Sequence, residues 1–148
     1  MAYSELEQES TDLDIYFEDE NKFVHLASGG GRLPTQIADL DTANENFIRQ
    51  LNDENSIFDF EINPNLKNLL ELDDNGLELY LNDFVRNAKR GFHSYDKTNL
   101  GMFEDSTFHL VAKPIFKKDI KELYSRIPNL NSILLPSDFK EFDLNKFM

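Results

Sequence analysis

The stretch DLDIYFEDENKFVHLAS, Asp12–Ser28, decides the fold class. Leu13, Ile15 and Phe17 alternate with Asp12, Asp14, Tyr16 and Glu18, which is the period of a half-buried strand. Glu18-Asp19-Glu20-Asn21 makes a polar turn, and Lys22–Ser28 reads as a second, more apolar strand. So short a connection predicts an antiparallel hairpin.

On the N-terminal side, residues 1–10 read as a flexible polar tail, leaving residues 11–148 as a single domain. On the C-terminal side, three glycines stop the second strand, and Pro34 suits the first turn of a helix. Asp41 or Thr42 is a candidate cap for a helix striped by Phe47, Ile48 and Leu51. Residues 57–62 alternate again, with Phe58, Phe60 and Ile62 on one side and Pro64 beyond. Leu66, Leu69 and Leu70 suggest a short helix.

The clearest helix follows. Leu77, Tyr80, Leu81, Phe84, Val85 and Ala88 fall at helical spacing after Asp73 or Asp74, and Arg86, Lys89 and Arg90 crowd the last turn before Gly91. Its apolar face should be buried, and Glu78, Asn82, Arg86 and Lys89 exposed. GFHSYDK and TFHLVAK form a second predicted hairpin, ended by Pro114. Phe116, Ile120, Leu123, Tyr124 and Ile127 suggest a further helix with Lys117, Lys118 and Lys121 outside. Ser137 is a candidate cap for a last one carrying Phe139, Phe142 and Leu144. The expected fold is α+β: one antiparallel sheet of about five strands, with about four helices packed mainly on one face.

Composition narrows the classes. The 148 residues include no Cys and no Trp but 13 Phe, and 40% are hydrophobic, enough for a core without disulfides or thiolate metal sites. The N-terminus has neither the basic stretch nor the apolar run of a signal peptide, and no segment approaches a membrane span, so a cytoplasmic location is expected. Residues 1–84 carry 20 acids against four bases, and residues 85–148 carry eight acids against 11 bases, giving a net charge of −13. That balance argues against nucleic acid, which would be repelled, and suits a basic protein partner.

Four stretches are candidate sites. Ser28, Gly29, Gly30, Gly31 and Arg32 lie between a strand and a helix, where backbone N–H groups can cradle an anion and Arg32 can add a forked donor. The segment is neither a P-loop nor a dinucleotide-binding GxGxxG. The hairpin reading pairs His93 with His109 about a tip at Gly101. It places Phe92 and Phe108 in the core and His93, Tyr95, His109 and Lys113 on the other side. Two such histidines on adjacent strands can bind a metal or shuttle a proton, and on a half-exposed face they are candidate partner contacts. Leu70–Leu81 looks like a calcium loop aligned on Gly76, yet Asn82 stands where the bidentate Glu belongs, so the acids read as a helix start. Met102 and Phe103 are apolar residues at a loop tip, suited to anchoring a partner.

No nucleophile signature, metal site or cofactor motif is present in the sequence. LPSDFKEF, Leu135–Phe142, resembles a short motif of a family that includes bacterial immunity proteins. There the motif lies near the start and is followed by an Asn-Gly segment, whereas here it falls in the last fourteen residues. No site residue or function is carried over from it. The expected function is a non-enzymatic interaction domain, of inhibitor or immunity type, for a basic partner. The alternatives are a small-molecule or anion-binding protein, enzymatic or not, built on Ser28–Arg32, and a structural subunit of a larger assembly.

Overall fold

The computed structural model describes residues 2–53, 56–116 and 123–148. The Asp12–Ser28 hairpin forms as expected, with β1 (Asp14–Glu18) antiparallel to β2 (Phe23–Ala27) and Tyr16 opposite His25. Next come α2 (Thr35–Ala38) and α3 (Asp41–Gln50), then β3 (Asp59–Ile62), α4 (Leu66–Leu70), α5 (Asp74–Lys89), β4 (Phe92–Lys97) and β5 (Thr107–Ile115). The helix α1 (Glu5–Ser10) precedes them all, and β6 (Phe142–Asp143) with a 3-10 turn (Leu144–Phe147) closes the chain. The architecture is mixed α and β, with a six-stranded, mostly antiparallel open sheet ordered β1-β2-β4-β5-β3 and β6 beside β5.

Three expectations are corrected. The sheet is not wholly antiparallel, because β2 and β4 run parallel, Phe23 opposite Phe92 and Ala27 opposite Asp96. Helices α3, α4 and α5 pack on one face, while α2 and the C-terminal segment cover the other, so the central strands β2 and β4 are buried along their whole length. The N-terminal ten residues are not a loose tail. Ser4 and Glu7 form a capping box on α1, and Tyr3 and Gln8 are buried. Ser137 caps no helix; Phe142 enters β6 instead. The helix expected across Phe116–Ile127 lies partly outside the described residues. Leu123, Tyr124 and Ile127 pack against Phe23, Phe47 and Phe92.

One sheet face buries Ile15, Phe17, Val24, Leu26, Tyr95, Phe108 and Leu110 under Leu33 and Ile37 and the C-terminal Ile133, Leu135 and Leu144. The opposite face holds two clusters. Tyr16, Phe23 and Phe92 lie under Phe47 of α3, while Ala27 and Val111 lie under Leu66 and Phe84. Helix α5 matches its sequence reading. The Asp73 carboxylate accepts from the Gly76 N–H as an N-cap, Phe84 and Ala88 are buried, and Glu78, Asn82, Arg86 and Lys89 are exposed.

The β4–β5 register also departs from expectation. Lys97 faces Phe108, Asp96 faces His109 and Tyr95 faces Leu110, with a bulge between Ser94 and Tyr95. The odd slip relative to a His93–His109 pairing sends Phe92 and Phe108 to opposite faces. Pro114 does not end β5; it pairs with Phe60 of β3.

At the β1–β2 turn, a buried clasp joins the sheet to the C-terminal segment. Asp19 Oδ1 accepts from the N–H groups of Asn21 and Lys22, and Oδ2 accepts from Lys22 Nζ at 2.6 Å and from the Leu135 N–H at 3.0 Å. Lys22 Nζ also donates to the Leu135 carbonyl at 2.6 Å.

Candidate interaction surface

The glycine loop, helix α1 and the tip between β4 and β5 meet at one end of the molecule. Gly29 and Gly30 have φ of +59° and +71°, a region closed to most side chains. A Cβ on Gly29 would stand 2.8 Å from Leu100 Cδ2, and one on Gly31 would stand 2.9 Å from the Lys97 chain. A Cβ on Gly30 would come 3.2 Å from the Glu9 carbonyl of α1. The glycines are therefore the packing surface on which both neighbours rest.

Most of the loop's donors are spoken for. Gly29 N–H donates to Asp12 Oδ1 at 2.9 Å, Gly31 N–H to the Ser28 carbonyl at 3.1 Å, and Arg32 N–H to the Phe103 carbonyl at 2.8 Å. The Arg32 guanidinium lies 4.6 Å over the Phe103 ring. It forks onto Glu104, Nη2 to Oε1 at 2.7 Å and Nε at 3.0 Å to each oxygen, and Nη2 reaches Glu5 at 3.1 Å. Hydrogen bonding to Glu104 and then Glu5 pushes Arg32 further up, and Arg32 holds Glu104 below its ordinary range. A cleft of about 290 Å³ beside Arg32 is lined by Leu33, Pro34, Thr35, Glu104 and Asn145, so its one cation is already matched by carboxylates.

Ser28–Arg32 and the tip, two separate candidates in the sequence, are thus one surface. Met102 is 57% exposed, whereas Phe103 is half-buried and serves as the platform for Arg32. Two apolar residues of the surface escaped the sequence reading: Leu100 at 67% and Leu6 on α1 at 75% exposure. The Ser4–Glu7 spacing of a capping box was the available signal for α1. Around these residues Glu5, Glu7, Glu9, Asp12 and Glu104 are exposed, while the nearby Lys97 is buried with its Nζ donating to the Asp105 carbonyl. Arg32→Ala is expected to leave the unfolding midpoint close to that of the wild type, since both its partners are exposed. The same change should speed amide exchange in α1 and the tip, and hydrogen-exchange mass spectrometry reads both at once.

The two histidines expected on this surface are not there. His93 and His109 are buried, and burial pushes them down to about 3 and about 4. His93 faces Phe116, with ring centroids 6.4 Å apart, and His109 bonds Thr98 and Tyr80. The third histidine, His25, sits between Asp14 Oδ1 at 2.8 Å and Ser94 Oγ at 2.5 Å. This has the composition of a nucleophilic triad. Yet Ser94 is fully buried, and His25 lies against Phe84, so the array is an internal tie between β1, β2 and β4.

Among the described residues, no three His, Asp or Glu side chains gather to share a metal ion, and no helix is long and apolar enough to cross a membrane. The chain matches no protein-family model, no curated protein and no solved structure. The immunity-family resemblance of Leu135–Phe142 accordingly rests on those eight residues alone.

Proposed function

We propose that this chain is a non-enzymatic interaction domain that engages a basic protein through the surface formed by α1, the glycine loop and the β4–β5 tip. The observation that carries the proposal is the grouping of exposed Leu100 and Met102 with a loop in which the N–H groups of Gly29, Gly31 and Arg32 are internally engaged, inside an acidic surround. Apolar anchors supply the tightness of a protein contact, and the surrounding carboxylates speed encounter with a cationic partner. The anion-binding alternative would need free loop N–H groups and an unpaired Arg32; those of Gly29, Gly31 and Arg32 are already engaged.

Affinity capture from the producing cells, with wild type and a Leu100→Ser, Met102→Ser variant, tests the proposal. The wild type should retain a basic protein whose association rate falls steeply as salt rises. The variant should fold normally and bind at least about tenfold more weakly. Equal retention by the variant, or an on-rate indifferent to salt, would remove the basis for the assignment.

A further inference from the structure

Beneath the root of the tip, four side chains form an unbroken hydrogen-bonded line. Thr98 Oγ1 lies 2.8 Å from His109 Nδ1, His109 Nε2 lies 3.0 Å from the Tyr80 hydroxyl, and that hydroxyl lies 2.7 Å from Asp96 Oδ2. Each hydroxyl has one hydrogen to give, and a neutral imidazole has one N–H and one bare nitrogen. Such a line has two self-consistent directions. With Asp96 ionised, Thr98 O–H donates to His109 Nδ1, His109 Nε2–H donates to the Tyr80 oxygen, and Tyr80 O–H donates to Asp96. With Asp96 protonated, every bond is reversed and the imidazole carries its hydrogen on Nδ1.

We propose that Thr98, His109, Tyr80 and Asp96 are a proton relay whose direction reverses when Asp96 takes up a proton, His109 exchanging its Nε2–H tautomer for the Nδ1–H tautomer. In that step a hydronium ion of the solvent gives one proton to Thr98 Oγ1, and the Thr98 proton passes to His109 Nδ1. The Nε2 proton passes to the Tyr80 oxygen, and the Tyr80 proton passes to Asp96 Oδ2. No bond between heavy atoms changes, and the only change of charge on the protein is the neutralised carboxylate.

The surroundings favour this outcome over simple charging of the imidazole. Asp96 and His109 are both buried. Tyr80 of α5 and His109 of β5 face Asp96, Ala27 of β2 stands beside it in register, and the charges that act on it are those of Asp12 and Asp14 on the β1 side. Lys97 offers it a backbone N–H, while the lysine side chain turns away to Asp105. Burial pushes the Asp96 carboxyl up to about 7, with Tyr80 hydrogen bonding opposing and Asp12 adding to the rise. Burial holds His109 down at about 4, and burial with Asp96 holds the Tyr80 phenol far above its ordinary value. Near neutrality, then, Asp96 is the group that titrates, and the imidazole between it and Thr98 stays neutral.

This inference goes beyond the interaction reading and stands without it, because its test needs no partner. Long-range ¹⁵N–¹H spectra of the intact chain, recorded from about pH 5 to about pH 9, report the His109 tautomer directly. The expected result is a neutral His109 throughout, Nε2–H at the alkaline end and Nδ1–H at the acid end. The midpoint should lie near 7 and coincide with the Asp96 carboxyl ¹³C titration. Tyr80→Phe should leave Asp96 titrating but uncouple the tautomer from it. Should Tyr80→Phe not fold, Thr98→Val removes the hydroxyl at the other end and should bias the tautomer ratio at every pH. A His109 that keeps one tautomer over the range, that charges to imidazolium within it, or that still switches in Tyr80→Phe overturns the relay.

Discussion

Asp19→Ala is expected to lower the unfolding free energy by about 3–5 kcal/mol, the usual cost of stripping a buried ion pair of one partner. Asp19 is 1% exposed and accepts from two turn N–H groups, from Lys22 Nζ and from the Leu135 N–H. Its removal orphans the N–H groups of Lys22 and Leu135 and leaves the Lys22 ammonium buried with only neutral acceptors. Burial already holds Lys22 below its ordinary value, with Asp19 opposing that fall. In the variant the ammonium should lose its proton more readily, so the defect should narrow as pH rises. Urea unfolding gives the number. Asp19→Ala combined with Lys22→Met should recover part of the loss, because no charge is then stranded. A single-variant loss below about 1 kcal/mol would mean the clasp is better solvated than its geometry implies.

Phe92→Ala should cost a similar amount, about 3–5 kcal/mol, for a different reason. The ring is fully buried and lies 5.0 Å from Tyr16, 5.0 Å from Tyr124 in a stacked arrangement, and 6.2 Å from both Phe23 and Phe47. These rings come from β1, β2, α3 and the segment after β5, so no single element can move in to fill the gap. The truncation should leave an apolar cavity that benzene restabilises in a thermal-shift assay. A loss under about 1.5 kcal/mol, with no response to benzene, would show that the cluster collapses into the space.

How far each feature was legible in the sequence follows from how local its cause is. Helix α5 was readable because its cap, Asp73, and its buried Phe84 and Ala88 lie within one stretch. The β1–β2 hairpin was readable because the alternation of Ile15 and Phe17 and the polar turn are adjacent. The parallel β2–β4 pairing was not. The apolar run Phe23–Ala27 did carry the mark of a strand covered on both faces, but nothing local names its second neighbour. Polar β4 read as half-exposed because Ser94 and Asp96 find their partners on β2 and α5, far off in the chain. The glycine loop and the tip were each noticed, while their union depends on β4 returning beside β2 to set Lys97 and Leu100 against Gly29. Leu6 and Leu100 became visible only once neighbouring residues had been buried around them.

The parallel pairing also shapes how the chain reaches this structure. Strands β2 and β4 cannot meet until residues 28–91 have closed into a loop, at an entropic cost that no local contact returns. A chain wired in this way is expected to fold over roughly milliseconds to seconds, not microseconds. During that interval Val24, Leu26 and Phe92 stand uncovered on unpaired strands, ready to join another copy. The acidic excess of the first 84 residues then acts before any partner is met, holding half-folded chains apart by mutual repulsion.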